Sequence, residues 1–315
     1  MLLKQTKVKK IIEKTFLALG TINHIKIFDG GKENAIEEVV ERVLEIDDRM
    51  SAFKPQSDIS KLTRNAGQGF QEVHKDTFEL IHKATQFGDL SNGAFDITIR
   101  PLVQLWGIGK KGDFVPTDSE IQEVLKLVNY RDIELDPKTL TIALKRSGQA
   151  LDLGGIAKGF AADEVKRILL ESSVKSALIN LGGNVMTIGH KPDGQSWQIG
   201  IQNPLAPTGQ YLGVLRAVNQ TIVTSGSNEQ FFIKDSVRYH HILDPRTGRP
   251  AQSSLLSVTA VCTCSVDADA LTTALFILGP EKGLLLLSKV KAEAIFIKND
   301  LSVMVSPGLT SLYKS

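Results

Sequence analysis

An α+β fold is what the 315-residue chain predicts, on three observations. Helical periodicity is concentrated in the first half; short runs of Ile, Val and Leu broken by Gly, Asn and Pro fill the stretch from about residue 177; and strand and helix patterns do not alternate as in a doubly wound sheet. At 42% hydrophobic and 23% charged residues, the composition is that of an ordinary soluble globular protein. No repeat or low-complexity linker divides it, so residues 1–315 are expected to form one interwoven domain.

The elements follow in order. In "ENAIEEVVERVLEIDDRM", Ile36, Val39, Val40, Val43 and Leu44 form a helical stripe opposite an acidic face. In "KDTFELIHKATQFGDLSNG", Leu80, Ile81, Ala84 and Phe87 share a face, and Gly88 offers an early stop. Thr117 and Glu120 stand in capping-box spacing before Ile121, Val124, Leu125 and Val128. "ALINL", "NVMTIG", "WQIGIQ", "YLGVLRAV" and "TIVTS" read as strands joined by turns. "ADALTTALFILG" returns to helix, with Leu271, Ala274, Leu275 and Leu278 on one stripe, and "EAIFIK" and "SVMVS" close the chain as strands.

The formal net charge is +2 with no long basic run, so nothing points to nucleic acid. Cys262 and Cys264, one residue apart in an apolar run, point to opposite faces of a strand, which argues against a mutual disulfide and for two buried thiols. The N-terminal "MLLKQTKVKKIIEKTFLALGT" starts basic, but Glu13 and Lys14 interrupt any apolar core of signal-peptide length, and no lipid-accepting cysteine follows. No later run approaches the ~18 apolar residues of a membrane span. A reducing, cytoplasmic setting without a membrane anchor is expected.

Three stretches carry candidate chemistry. "ALDLGGIAKGFAADEV" places Gly154 and Gly155 at a helix entrance, where free N–H groups and the positive dipole end can hold an anion, with Lys158 one turn in. Its spacing is neither that of a P-loop nor that of a dinucleotide fingerprint, so a plain glycine turn with a solvated lysine is an equal reading. In "SVDADALTTALFILG", Asp269 and Thr273 project from one helical face, with Thr272 beside them, and their oxygens suit a hard cation such as Mg2+. A helix cap by Asp267 or Asp269 is the competing reading. "YHHILDPRTGRPA" sets His240, His241, Asp244 and Arg246 around a turn, offering a general base and a phosphate partner or only a hairpin reversal. "MSAFKPQSDISKL" and "GAFDITIRPLVQLWGIG" add aromatic residues, Phe53 and Trp106 among them, for a pocket or for the core.

These stretches, in this order, resemble the ApbE-type flavin transferases, also called FAD:protein FMN transferases, from "LGT" at Leu19 through "DLGGIAKGFAAD", "NLGGNV", "HILDPRTGRP" and "ADALTTALFILG". The resemblance implies a T-fold-like architecture, mainly antiparallel sheets packed with helices, and a Mg2+-dependent enzyme that uses FAD as substrate. It would transfer the FMN half to a threonine of an acceptor flavoprotein and release AMP. The metal pattern would fall on the Gly155 carbonyl, Asp269 and Thr273, with Thr272 where some relatives carry a second Asp. Flavin contacts would fall on Leu19, Phe53, Ala94, Phe95, Asp96, Asp152, Lys158 and the backbone at Leu243. His241 corresponds to the histidine of the family's "HxxDP" segment and is preferred over His240 as the catalytic one.

Relatives often carry Met at the position of Leu19 and Tyr at that of Phe53, which loses a hydroxyl but keeps a stacking ring. The expected acceptor is a cytoplasmic flavin-dependent reductase. Two rival readings are a Mg2+-dependent FAD pyrophosphatase releasing FMN and AMP, and a non-catalytic flavin-binding protein.

Overall fold

The computed structural model describes residues 11–314 apart from Gly30 and Glu33. The basic N-terminal segment, residues 1–10, lies outside the described residues. Strands β1 (Ile12–Ala18), β2 (Thr21–Ile27), β3 (Ala177–Leu181), β4 (Asn184–Ile188), β5 (Thr221–Gly226), β6 (Leu255–Cys262), β7 (Glu293–Lys298) and β8 (Val303–Val305) build one eight-stranded sheet. Every pairing in it is antiparallel, and the strands lie side by side in chain order. The α+β, mainly antiparallel expectation therefore holds.

The first hairpin shows how locally the sheet is set. Ala18 pairs with Thr21, and between them Leu19 (φ 56°) and Gly20 (φ 70°) both occupy the left-handed region. This two-residue reversal matches the twist of the flanking strands; glycine takes its position freely, whereas leucine is strained there.

The helices are α1 (Ala35–Met50), α2 (Asp58–Arg64), α3 (Lys75–Leu90), α4 (Arg100–Trp106), α5 (Asp118–Leu125), α6 (Ala157–Glu171) and α7 (Ser265–Leu287). On one face of the sheet, Val39 and Val43 of α1, Val165 of α6 and Leu271 of α7 join Ile25, Ile179 and Val258 in the main core. The opposite face is covered at β5 to β7 by a three-stranded sheet of Trp197–Gln202, Tyr211–Ala217 and Tyr313–Lys314, with Ile201 and Leu215 near Ile222 and Val261. Covered on both sides, β6 is buried along its whole length, which explains its unbroken apolar sequence.

Several sequence expectations change in detail. Gly88 does not end α3, which runs to Leu90; it admits the ring of Tyr130, which a Cβ there would approach to 2.5 Å. The Thr117–Glu120 capping box forms, but α5 stops at Leu125 and leaves Val128 beyond it. Cys262 ends β6, whereas Cys264 is off the strand at the N-cap of α7; both thiols are free. Finally, α7 is long and apolar enough to cross a membrane by length and composition, contrary to the expectation that no run approached that limit. It is a core helix packed against α6, β5 and β6, so it needs no broad polar face, and it breaks at Gly279 before Pro280.

Candidate active site

The loop before α6, the end of β5, the segment at residues 241–245 and the middle of α7 converge on a cavity of about 410 Å³. Two hollows of about 350 and 380 Å³ adjoin it. Asp152 lines all three, Lys158 the main cavity and the 350 Å³ hollow, and His241 the main cavity and the 380 Å³ hollow, so the three lie side by side as a branched cleft. A cleft of this size and branching suits a dinucleotide better than a single small ring.

The glycine loop is held by its own residues. Asp152 Oδ1 accepts from the Gly154 amide (2.9 Å), and Arg100 Nη1 donates to its Oδ2 (3.1 Å). Lys158 Nζ donates back to the Gly154 carbonyl (2.9 Å). The amides of Gly154, Ala157 and Gly159 are all engaged within the protein, the last by Asp269 Oδ2 at 2.8 Å. The expected row of free N–H groups is therefore largely spent, and the cation here is Lys158.

On α7, Asp269 is buried and does not cap the helix. Burial pushes its carboxyl above the usual range, opposed by Lys158 and by the Gly159 amide. Thr273 lines the main cavity with it, and a Cβ on Gly155 would lie 3.2 Å from Thr273 Oγ1. Asp269 Oδ1, Thr273 Oγ1 and the Gly155 carbonyl oxygen accept no hydrogen bond among the described residues. Three unspent oxygens, one from a carboxylate, fit a hard divalent cation. Thr272 is a correction: it is fully buried outside the cavity lining, its hydroxyl accepting from Ser225 Oγ (2.9 Å) and donating to the Asp269 carbonyl (2.8 Å).

His241 lines the main cavity and the 380 Å³ hollow. Its Nδ1 lies 3.3 Å from the Gln230 carbonyl, which can only accept, so the proton belongs on Nδ1 and the Nε2 lone pair stays free. Burial lowers the imidazole pKa, Lys158 adds to that, and Glu229 and the Gln230 carbonyl oppose it. Arg246 is not a free phosphate partner, because it forms a two-pronged pair with Asp244 (2.8 and 2.7 Å) inside its own turn.

The remaining expected residues divide by hollow. Ala94, Phe95, Asp96 and Leu243 line the main cavity, and Leu19 lines the 350 Å³ hollow with Phe53. Asp96 has both oxygens committed, to Thr98 and to the Tyr130 amide, so it fixes the loop and presents no free carboxylate. Phe53 is 65% exposed, with Arg100 4.3 Å and Lys110 4.6 Å from its ring centre. Trp106 is buried, donating to the Gly248 carbonyl at 2.8 Å, and also borders the 380 Å³ hollow. Arg100, Ser225, Glu229 and Gln230 were not singled out by sequence; only Arg100 sits in a stretch whose composition drew notice.

A family model described as "ApbE family" matches residues 19–296. Among curated relatives, an FAD:protein FMN transferase of Klebsiella pneumoniae is 38% identical over 269 residues, covering 85% of this chain and 83% of its own. One of Treponema pallidum is 35% identical over 312 residues, covering 93% and 86%. Among solved structures, the ApbE protein of Thermotoga maritima superposes with a TM-score of 0.89 at 31% identity, covering 97% of this chain and all of that one. The flavin transferase ApbE of Vibrio cholerae gives 0.86 at 26% identity, covering 96% and 99%.

Proposed function

The chain belongs to the ApbE family, and on that premise we propose that it is an FAD:protein FMN transferase that uses Mg2+, accepts on a threonine hydroxyl and releases AMP. It is an enzyme of the transferase class. The observation that carries the finer reading is the meeting, in one cavity, of an unspent oxygen set (Gly155, Asp269, Thr273) with a lysine and a part-buried histidine.

Breaking a pyrophosphate is chiefly a matter of position and charge. Asp269, Thr273 and the Gly155 carbonyl would hold the Mg2+, whose chemistry is to neutralise phosphate oxygens. Lys158, in the same wall, adds a cation for those oxygens. Phe53 and Leu19 offer apolar surface to a ring system in the outer hollow. Threonine oxygen attacks the FMN phosphorus, an O–P ester bond forms as the pyrophosphate P–O bond breaks, and the AMP phosphate leaves. His241, kept neutral by burial, takes the hydroxyl proton on Nε2.

A cytoplasmic setting and a flavin-dependent reductase as acceptor are part of this proposal. The test is mass spectrometry of an acceptor bearing a flavin-attachment threonine, incubated with the protein, FAD and Mg2+. The expected product is an acceptor heavier by one FMN unit. Release of free FMN and AMP with no adduct, in a mixture whose acceptor a known relative does modify, overturns the proposal.

A further inference from the structure

The two helices that frame the oxygen set lack caps of their own. The N-cap residues, Ile156 of α6 and Cys264 of α7, make no side-chain cap hydrogen bond. Each cap comes from the other helix. Asp163 of α6 accepts from the Ser265 amide on Oδ1 and from the Val266 amide on Oδ2, both at 2.9 Å, with Cys264 Sγ at 3.4 Å from Oδ2. Asp269 of α7 accepts in return from the Gly159 amide of α6 at 2.8 Å. In both helices the capped residue stands one turn before the carboxylate: Gly159 before Asp163, Ser265 before Asp269. The exchange needs close backbones, and Gly159 allows it, since a Cβ there would lie 2.3 Å from the Ser265 carbonyl oxygen.

We propose that Asp163 is a positioning residue for the cation and phosphate end of the cleft: by capping α7 it sets the height of Asp269 and Thr273 against the Gly155 turn. The inference rests on the function proposed above and deepens it. The oxygen set is split between helices, with Gly155 ahead of α6 and Asp269 and Thr273 on α7. A slide of one helix past the other takes the set apart. The two amide bonds of Asp163 are directional and oppose the slide. An Asn at this position keeps one acceptor and sets an N–H2 group against the other amide, so it retains half of the lock.

The experiment compares Asp163→Ala and Asp163→Asn with Val165→Ala, a core truncation on the same helix that serves as the stability control. Three quantities are read: the thermal midpoint, Mn2+ binding to the FAD-free protein by loss of the free-ion electron resonance signal, and hydrogen exchange at the Gly159 amide. Asp163→Ala is expected to weaken Mn2+ binding at least tenfold and speed Gly159 exchange at least tenfold, with Asp163→Asn between it and wild type. Val165→Ala, with a comparable midpoint loss, is expected to stay within twofold on both. Equal effects in Asp163→Ala and Val165→Ala, or unchanged Mn2+ binding and exchange in both Asp163 variants, overturn the proposal. Failure of the functional reading is separately visible as wild-type protein that makes no adduct, because the exchange measurement does not depend on FMN transfer.

Discussion

His240 and His241, adjacent in the chain, face different surroundings: His240 is turned into the core and His241 into the cleft. His240 Nε2 donates to the Ala251 carbonyl (3.0 Å), and its ring stands edge-on to Phe276 at 5.4 Å between centres, whereas His241 lines the cleft. Burial lowers the pKa of both, of His240 to about 4.

This divides their phenotypes. His241→Ala is expected to slow FMN transfer by about 100-fold, the scale of losing a positioned base, with an unchanged unfolding midpoint. Single-turnover kinetics alongside thermal unfolding check it; unaltered turnover removes His241 from the mechanism.

His240 titrates stability. Its folded pKa is depressed, so between pH 6.5 and about 4 the unfolded chain binds the extra proton. Stability is therefore complete above the unfolded value and declines as the solution is acidified through that window, by an amount on the order of 3 kcal/mol. Urea unfolding at pH 7 and pH 4.5 should show the decline in wild type and a smaller one in His240→Gln.

Asp269 has the opposite sign. Its raised pKa means that the ionised carboxylate is disfavoured in the fold, so stability falls as pH climbs past the ordinary carboxylate range. Asp269→Asn keeps an acceptor for the Gly159 amide and cannot ionise. Metal-free, it should melt no lower than wild type, yet transfer should fall about 100-fold or more. Added Mg2+ should raise the wild-type midpoint and leave the variant's unmoved.

Gly159→Ala should be among the most damaging small changes. The added methyl meets the Ser265 carbonyl oxygen at 2.3 Å, a backbone atom that cannot turn aside. A loss of about 3 kcal/mol or more is expected by equilibrium denaturation.

Phe53→Ala should separate binding from folding. The ring is 65% exposed, so its removal should shift stability by less than about 1 kcal/mol. FAD affinity, read by quenching of flavin fluorescence, should weaken severalfold; unchanged affinity would place the flavin elsewhere.

Most elements were legible because periodicity and turn residues act locally: helix α1, the Thr117 capping box and the five central strands all form. Of the expected α1 stripe, Ile36, Val39 and Val43 are buried, while Val40 is only partly so and Leu44 is exposed, the buried face continuing instead through Ile46 and Met50. Asp269 and Thr273 were legible because four-residue spacing fixes their common face. What escaped depends on distant packing. Thr272 turns to Ser225, 47 residues away, and Asp163 caps an amide 102 residues on, partners that no local pattern reveals. Arg246 failed as a phosphate ligand because its nearest acceptor, Asp244, was in its own turn.

Because the strands of the eight-stranded sheet lie in chain order, the sheet can lengthen at a single edge as the polypeptide leaves the ribosome. The histidine and the glycine turn are synthesised before α7, the element that brings Asp269 and Thr273. Until α7, the last helix, has docked, the Gly155 turn and the histidine stand without Asp269 and Thr273, and the cavity lacks one of its walls.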